Sequence, residues 1–184
     1  MERELVEQAQ RGDQEAFAAL VHLTADRLYG IAYRILRDPN QAEDALQNAL
    51  IDLWDDLPAL RDPDRFEAWT YRLIARASYR EARRGRRWTS KVRRIAIAPD
   101  ASDDGALDQI ALHDEMEQAF RQLTPEHRAV VVLHFFVGLP LTEIADALGI
   151  PVGTAGSRLH YAVRSLRSAF EADARRVVAW RHSA

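Results

Sequence analysis

The segment Leu141–Arg158 reads LTEIADALGIPVGTAGSR and predicts two short helices joined by a tight turn. Ile144, Ala145 and Leu148 recur at the spacing of one helical face, so we expect them to pack inward. Gly149 supplies the residue that tolerates a left-handed turn. The segment therefore predicts a helix-turn-helix, whose second helix can enter a DNA major groove.

The outer face of that second helix is the candidate base-reading surface. We expect its inner face to be formed by Ala155, Leu159, Val163 and Leu166. The outer face carries Thr154, Ser157, Arg158, His160, Tyr161 and Arg164. The first turns of such a helix contact base edges, and cations farther along contact phosphates. A glycine-rich phosphate loop is the alternative for 149–157, but it requires a Lys and a preceding strand, which this segment lacks.

The stretch before the helix-turn-helix continues the helical pattern. Thr124-Pro125-Glu126 is a strong helix opening, with a capping hydroxyl, a proline in the first helical position and an acid near the positive end of the dipole. It predicts a helix from Glu126 to Val137, although residues 129–133 also have strand propensity.

Charges are segregated along the chain, although the net charge is only -3. Residues 38–67 hold nine acids against two arginines, and residues 72–94 hold ten cations against one acid. The second density is typical of proteins that bind polyanions. Residues 100–117 hold seven acids and no Lys or Arg, close to Pro99, Ser102 and Gly105, as expected of a solvated linker.

These boundaries predict an all-α protein of two small helical domains joined by a flexible acidic linker. With 184 residues, eight Gly, seven Pro and many Ala, Leu and Arg, the composition favours helix over sheet. We place the first domain at 1–90, the linker at 91–113, the helix-turn-helix domain at 114–176 and a tail at 177–184.

The first domain has recurrent helix boundaries. Asp13 follows Gly12 and is placed to cap a helix, and we expect two helices before Asp38-Pro39. The helix from Gln41 to Leu57 has an apolar stripe that we expect to pack inward, formed by Ala42, Ala45, Leu46, Ala49, Leu53 and Trp54. Its acidic face is either a solvated surface or a binding surface. Residues 56–65 hold two prolines and predict a loop.

After that loop, Phe66 to Arg87 resumes helical periodicity with a stripe of cations. At 100° per residue, Arg72, Arg76, Arg80, Arg83 and Arg87 fall within about 80° of one another. Trp69 falls in the same sector, where it could stack on an unpaired base or be half-buried. The stripe favours nucleic acid, and an anionic membrane or an acidic protein remains the alternative.

Several classes of protein are excluded. The chain has no Cys, so disulfides and thiolate metal sites are absent. The longest apolar run is about seven residues against roughly 20 for a membrane span, and the charged first residues do not form a secretory signal. We therefore expect a cytoplasmic protein without membrane insertion. There is no recognisable catalytic motif, and the spacing of His113, His127 and His134 matches no standard metal pattern, so we expect no enzyme activity, metal or cofactor.

In its order of motifs, the chain resembles the extracytoplasmic-function (group 4) sigma factors of bacterial RNA polymerase. The pieces that carry the resemblance are Gly12-Asp13-x-x-Ala16-Phe17, Ala42-Glu43-Asp44-x-x-Gln47, Phe66-x-x-Trp69, Arg72-x-Ile74-Ala75-Arg76, Glu143-Ile-Ala-x-x-Leu148-Gly149 and Gly153-Thr154-x-x-Ser157-Arg158-Leu159. Each piece alone is weak, whereas their order and spacing over residues 11–170 are specific.

The resemblance implies a role for each part of the chain. The first domain would bind the coiled coil of the largest polymerase subunit and open the -10 element, and the second would dock on the β-flap and read the -35 element. Implied polymerase contacts are Glu43, Asp44, Gln47, Asn48, Leu50 and Trp54. Implied -10 contacts are Arg61, Arg65, Trp69, Arg72, Arg76, Arg80 and Arg83, with the loop 60–65 holding a flipped base. Implied -35 contacts are Thr154, Ser157, Arg158, Tyr161 and Arg164.

The implied partners are core RNA polymerase, promoter DNA and an anti-sigma factor. The chain departs from the family pattern at Asn48, at Ala77 and at Ala155-Gly156, and the last departure predicts an unusual -35 preference.

Two other functions remain as alternatives. One is a dimeric helix-turn-helix regulator with a sensing domain, which leaves the acidic helix and the arginine stripe unexplained, and the other is an enzyme, for which there is no site.

Overall fold

The computed structural model describes residues 2–92 and 117–181, and every regular element within those two stretches is helical. The predicted all-α fold with two helical domains is confirmed. The predicted acidic linker, 91–113, lies outside the described residues except for residues 91 and 92.

Eight helices are described. The first four are α1 (Glu2–Gln10), α2 (Gln14–Leu36), α3 (Pro39–Asp56) and α4 (Phe66–Val92). The last four are α5 (117–122), α6 (Pro125–Val131), α7 (Leu141–Leu148) and α8 (Val152–Arg181). A π-helical turn, Val132–Phe136, extends α6.

Local sequence signals fix the ends of the helices in the first domain. The Asp13 carboxylate caps α2 by accepting two backbone N–H bonds. The Asp38 carboxylate caps α3, which has Pro39 in its first turn. Between these caps α2 ends at Arg37, which has a left-handed conformation with φ of 59°. The predicted capping role of Asp13 is confirmed, and Asp38 acts in the same way on α3.

The predicted loop between α3 and α4 is ordered by two short 3-10 turns, Leu57–Ala59 and Pro63–Arg65. Gln10 of α1 donates its amide N–H groups to the carbonyl oxygens of Leu57 (3.1 Å) and Leu60 (2.7 Å). These bonds satisfy loop carbonyls and hold the loop against α1. The loop therefore has a fixed position beside the start of α4.

The helix-turn-helix is formed as predicted. Thr124 caps α6, with Pro125 in the first turn, and Gly149 ends α7 in a left-handed conformation with φ of 63°. Ile144 and Ala145 are almost completely buried between α7 and its neighbours. Because α7 ends on Gly149, the chain reverses within three residues and α8 packs back across α7.

The two helical domains pack against each other. Helix α4 contacts α6 and α7, and α2 contacts α6. As a result most of the buried apolar side chains of both domains form one cluster, which includes residues from Val6 to Ala155, and Leu123, Val131 and Ala162 form a smaller second cluster. The first domain therefore packs directly against the helix-turn-helix.

Two arginines close this domain interface by capping helices of the opposite domain. Arg128 of α6 is 7% exposed and donates to the last two carbonyls of α2, at Ile35 (2.6 Å) and Leu36 (3.3 Å). Burial lowers the pKa of Arg128 to about 10, so it stays cationic at neutral pH. A cation at the carboxyl end of a helix meets the negative end of its dipole.

Arg76 of α4 makes the equivalent contact in the other direction. Its guanidinium donates to the carbonyls of Ala147 (3.1 Å) and Asp146 (3.3 Å), at the carboxyl end of α7. Each domain thus supplies one cation that donates to carbonyls in the last turn of a helix of the other.

Candidate nucleic-acid interface

The arginines of α4 form a continuous basic face, defined here as Arg72, Arg76, Arg80 and Arg83. Three of them are exposed and Arg72 is partly buried. The opposite side of the helix is buried through Leu73 and Ile74 among others. The backbone position of Arg87 is described, but its side chain is not. The predicted stripe of arginines on one side of α4 is therefore confirmed for the residues whose side chains are described.

Two members of the basic face are already engaged within the chain. Arg80 is 2.6 Å from the carboxylate of Asp52 on α3, and both side chains are partly open to solvent. Surface pairs of this kind contribute about 0 to 1 kcal/mol, so DNA phosphate can displace the acid. Arg76 is bonded to α7, as described above. The basic face therefore lies partly against the second domain.

Trp69 lies on the margin of the core, one turn into α4. Its ring is 6.2 Å from that of Phe66, a residue that is 1% exposed, and the two planes are tilted by 51°. Trp69 itself is partly buried. In the chain without DNA, Trp69 is therefore half-buried. Its contact with Phe66 holds the indole ring at the edge of the core.

The loop that precedes α4 places two further cations close to Trp69 in sequence. Arg61 and Arg65 are exposed, and Leu60 is partly buried against the core. The Leu60 side chain packs against the core and its carbonyl accepts a hydrogen bond from Gln10. The backbone beside Arg61 and Arg65 is therefore fixed. The cations predicted to contact the -10 element thus come from the loop and from α4.

The outer surface of α3 carries the residues predicted to bind polymerase. Glu43, Asp44 and Gln47 are exposed, and Asn48 is partly buried, donating to the backbone oxygen of Asp44 (2.8 Å). Leu50 is partly buried as well. The acidic face of α3 (43, 44, 47 and 48) is therefore open to solvent over most of its length.

Trp54 corrects one part of the sequence prediction. It was expected on the inward stripe of α3, but it is 45% exposed, and its ring makes a T-shaped contact with that of Phe17, with centroids 4.6 Å apart and planes at 81°. Ile51, one turn earlier, is 53% exposed and was not predicted as a site residue. Ile51 falls outside the apolar stripe of α3, one turn after Gln47 and Asn48, and an apolar residue in that polar sector was the signal that could have identified it. Ile51 and Trp54 extend the acidic face of α3 with an apolar patch.

The residues predicted to contact the -35 element, called here the reading face (Thr154, Ser157, Arg158, Tyr161 and Arg164), lie on one side of α8. Ser157, Tyr161 and Arg164 are exposed, and the other two residues are partly buried. Arg158 donates to the hydroxyl of Tyr79 on α4 (3.3 Å). One member of the reading face therefore contacts the first domain.

His127 of α6 contacts the reading face, although the sequence analysis considered it only as a metal ligand and excluded that role. Its ring stacks on that of Tyr161, with centroids 4.7 Å apart and planes at 28°. Burial and the nearby guanidinium of Arg158 lower the pKa of His127 below its usual value of 6.5. No sequence pattern links 127 to 161, because the contact depends on how α6 packs on α8.

Among the residues that the structure describes, no three His, Cys, Asp or Glu side chains cluster as a metal site would require. Within the same residues, no helix is long and apolar enough to cross a membrane.

Comparison with known families matches both domains. Residues 20–89 match Sigma-70 region 2, and residues 119–168 match Sigma-70 region 4. The first match covers α3, the loop after it and α4 as far as residue 89, and the second covers the turn of the helix-turn-helix and the two helices beside it as far as residue 168.

Relatives of known function are similar over nearly their whole length. The chain is 28% identical to the ECF RNA polymerase sigma factor SigW of Bacillus subtilis, over 91% of this chain and 95% of the relative. It is 32% identical to the RNA polymerase sigma-H factor of Pseudomonas aeruginosa, over 92% and 94%. It is 35% identical to the ECF RNA polymerase sigma factor SigL of Mycobacterium tuberculosis, over 85% and 92%.

Solved structures have the same fold. CnrH, in complex with the cytosolic domain of CnrY, matches with a TM-score of 0.60 and 25% identity, over 94% of this chain and 98% of that chain. The sigma factor RpoE of Bartonella quintana, in complex with the anti-sigma factor NepR, matches with a TM-score of 0.63 and 21% identity, over 85% and 98%.

Proposed function

The chain belongs to the extracytoplasmic-function sigma factors of bacterial RNA polymerase, and on that premise we propose which of its residues contact polymerase and promoter. As a member of this family it directs core RNA polymerase to specific promoters. Sigma factors regulate transcription by binding DNA. The chain itself then needs no catalytic residue, since the polymerase supplies the chemistry, and we place its action in the cytoplasm with the polymerase.

The basic face of α4 and the loop before it bind the -10 element. The observation that carries this assignment is the continuous surface that runs from the ordered loop past Trp69 to Arg83. Opening DNA costs a few kcal/mol for each unstacked step, so a melting protein must hold the separated bases. Cations at Arg61, Arg65, Arg72, Arg76, Arg80 and Arg83 would bind phosphates, and the fixed indole of Trp69 offers a surface for stacking.

The reading face of α8 binds the -35 element as duplex. Ser157 and Arg158 lie in the first two turns of α8, where the recognition helix of a helix-turn-helix meets base edges. Arg164 lies farther along the helix and suits a phosphate contact. Gly156 lacks the side chain that this position could direct to DNA, which supports an unusual -35 preference.

The acidic face of α3 and its apolar extension bind the coiled coil of the largest polymerase subunit. Exposed carboxylates at Glu43 and Asp44 would attract a basic partner, and the exposed apolar area of Ile51 and Trp54 would be buried on binding. This combination is more typical of a protein interface than of a solvated helix. The second domain would dock on the β-flap.

Core RNA polymerase, promoter DNA and an anti-sigma factor are the partners of the chain. Run-off transcription with purified core enzyme over a promoter library tests the promoter assignment. We expect transcripts only when the chain is added, from templates that share a -35 and a -10 element. Binding of the chain to palindromic DNA as a dimer, with no effect on core enzyme, would favour a regulator instead.

A further inference from the structure

His127 and Tyr161 form an aromatic pair that links α6 to the reading face of α8. Their centroids are 4.7 Å apart and their planes differ by 28°. Tyr161 is 59% exposed, so one side of its ring lies against His127 while the rest faces solvent. An exposed side chain without such a neighbour would sample several rotamers. The stack therefore selects one orientation of Tyr161.

Thr124 holds His127 in turn. The Thr124 hydroxyl oxygen accepts the backbone N–H of His127 as the cap of α6 (3.4 Å), and the same oxygen lies 2.9 Å from Nδ1 of the ring. Because the hydroxyl hydrogen is not used in the cap, it can donate to Nδ1. The proton of the neutral ring then lies on Nε2, and the imidazole is fixed at one end by α6 and across its face by Tyr161.

The charge around the pair favours a neutral ring. Burial of His127 and the positive charge of Arg158 both disfavour the imidazolium form, so the pKa of His127 lies below its usual value. Arg158 itself is held by Tyr79 of α4 at 3.3 Å. Two adjacent members of the reading face, Arg158 and Tyr161, are therefore each held by a residue outside it.

We propose that His127 is a positioning residue for -35 recognition, which orients Tyr161 toward the DNA and so sets the base preference at the positions that Tyr161 addresses. This inference rests on the proposed assignment of the reading face. His127 acts through Tyr161 and does not itself need to contact a base.

The test is transcription from a promoter library, randomised across the -35 and -10 elements, by holoenzyme made with the full chain. We expect His127→Ala to reduce discrimination by about 3- to 10-fold at one or two adjacent -35 positions, the factor expected from losing one aromatic stack. The -10 preference should not change. His127→Phe keeps a ring against Tyr161 and should restore most of the discrimination.

A double variant separates positioning from a general structural effect. If His127 acts through Tyr161, then His127→Ala added to Tyr161→Ala should cause no further loss at those positions. Equal additive losses, a failure of His127→Phe to restore discrimination, or a uniform loss at all -35 positions would each overturn the proposal. His22→Ala, on the exposed surface of α2, is the matched control for loss of an imidazole.

Arg158→Ala distinguishes a wrong assignment of the reading face from a wrong positioning role for His127. If it leaves the -35 preference unchanged, the reading face itself is wrong and the role of His127 falls with it. If Arg158→Ala changes that preference and His127→Ala does not, only the positioning role is rejected.

Discussion

Arg158 is the residue of the reading face whose loss should be easiest to measure. We expect Arg158→Ala to weaken binding of the holoenzyme to a duplex carrying the -35 element by about 1 to 3 kcal/mol, because a guanidinium that contacts a base edge contributes that much discrimination. Affinity for core polymerase should stay the same. Competition binding of holoenzyme to -35 duplexes, with core affinity measured in parallel, gives both values.

Arg167 provides the matched control for that measurement. It is exposed on the same helix, about 180° around its axis from Arg158. Its replacement by Ala removes the same charge from the opposite side of α8 and should have little effect on -35 binding. Equal losses for the two variants would show that the effect is general electrostatics and would reject base reading by Arg158.

Trp69 should be required for promoter opening and not for assembly. We expect Trp69→Ala to leave holoenzyme formation intact and to slow the appearance of permanganate-reactive thymines in the -10 element, because the indole no longer holds an unstacked base. Trp69→Phe, which keeps the contact with Phe66, should be intermediate. Unchanged footprints with Trp69→Ala would reassign this residue to the core.

His127 predicts a pH dependence of stability. Its pKa in the folded chain lies below the unfolded value, so the unfolded chain binds the proton more tightly. Its contribution to stability is therefore complete above the unfolded pKa, about 6.5, and is lost as pH falls through the folded value. We expect the melting temperature of the parent to fall more than that of His127→Phe between about pH 7.5 and 5.5. Parallel curves would contradict this expectation.

Among the helices, α7 ends at Gly149 and α8 contains Gly156, and replacement of these two glycines by Ala should have opposite effects on stability. Gly156 lies inside α8, and a Cβ there would meet only Leu141 Cδ1 at 3.9 Å, an ordinary contact. Gly156→Ala should therefore raise the free energy of unfolding by about 1 kcal/mol. Gly149→Ala should lower it by about 1 kcal/mol, because φ of 63° strains a residue with a Cβ.

Thermal or denaturant unfolding of the two variants, compared with the parent chain, tests this pair. The two sites are in the same helix-turn-helix, so each serves as the control for the other. A loss of stability in Gly156→Ala would show that close packing, and not helix propensity, governs that position.

The ends of helices could be predicted from sequence because their causes are local. Asp13, Thr124 and Gly149 each act on backbone groups within a few residues, so the chain around them contains the whole signal. The exposure of Trp54 could not be predicted in this way. Its position on α3 fits the inward stripe, and only the arrangement of α1, α2 and the loop decides which part of its ring is covered.

For the molecule as a whole, the relation of the two domains could not be predicted from the sequence. The helix-capping contacts of Arg76 and Arg128 join residues that are 70 to 93 positions apart. In sequence, Arg76 is one of several equivalent cations, and nothing distinguishes it as a helix cap. The packed arrangement also places Arg76 and Arg158 at contacts between the domains, so both must exchange partners when they bind DNA.

The Arg76 contact predicts that a single substitution loosens the packed arrangement. Charged hydrogen bonds contribute about 1.5 to 3 kcal/mol when buried, and the exposure of Arg76 reduces this to about 1 kcal/mol. Arg76→Ala should then shift the equilibrium between chains with packed domains and chains with separated domains about 5-fold toward separation. Because the chain has no Cys, dyes on Gln14→Cys and Ser168→Cys can report the domain separation by energy transfer. Arg80→Ala, whose carboxylate partner Asp52 lies within the first domain, should leave the energy transfer unchanged. Equal changes in both variants would mean that the basic charge of α4, and not the cap on α7, holds the domains together.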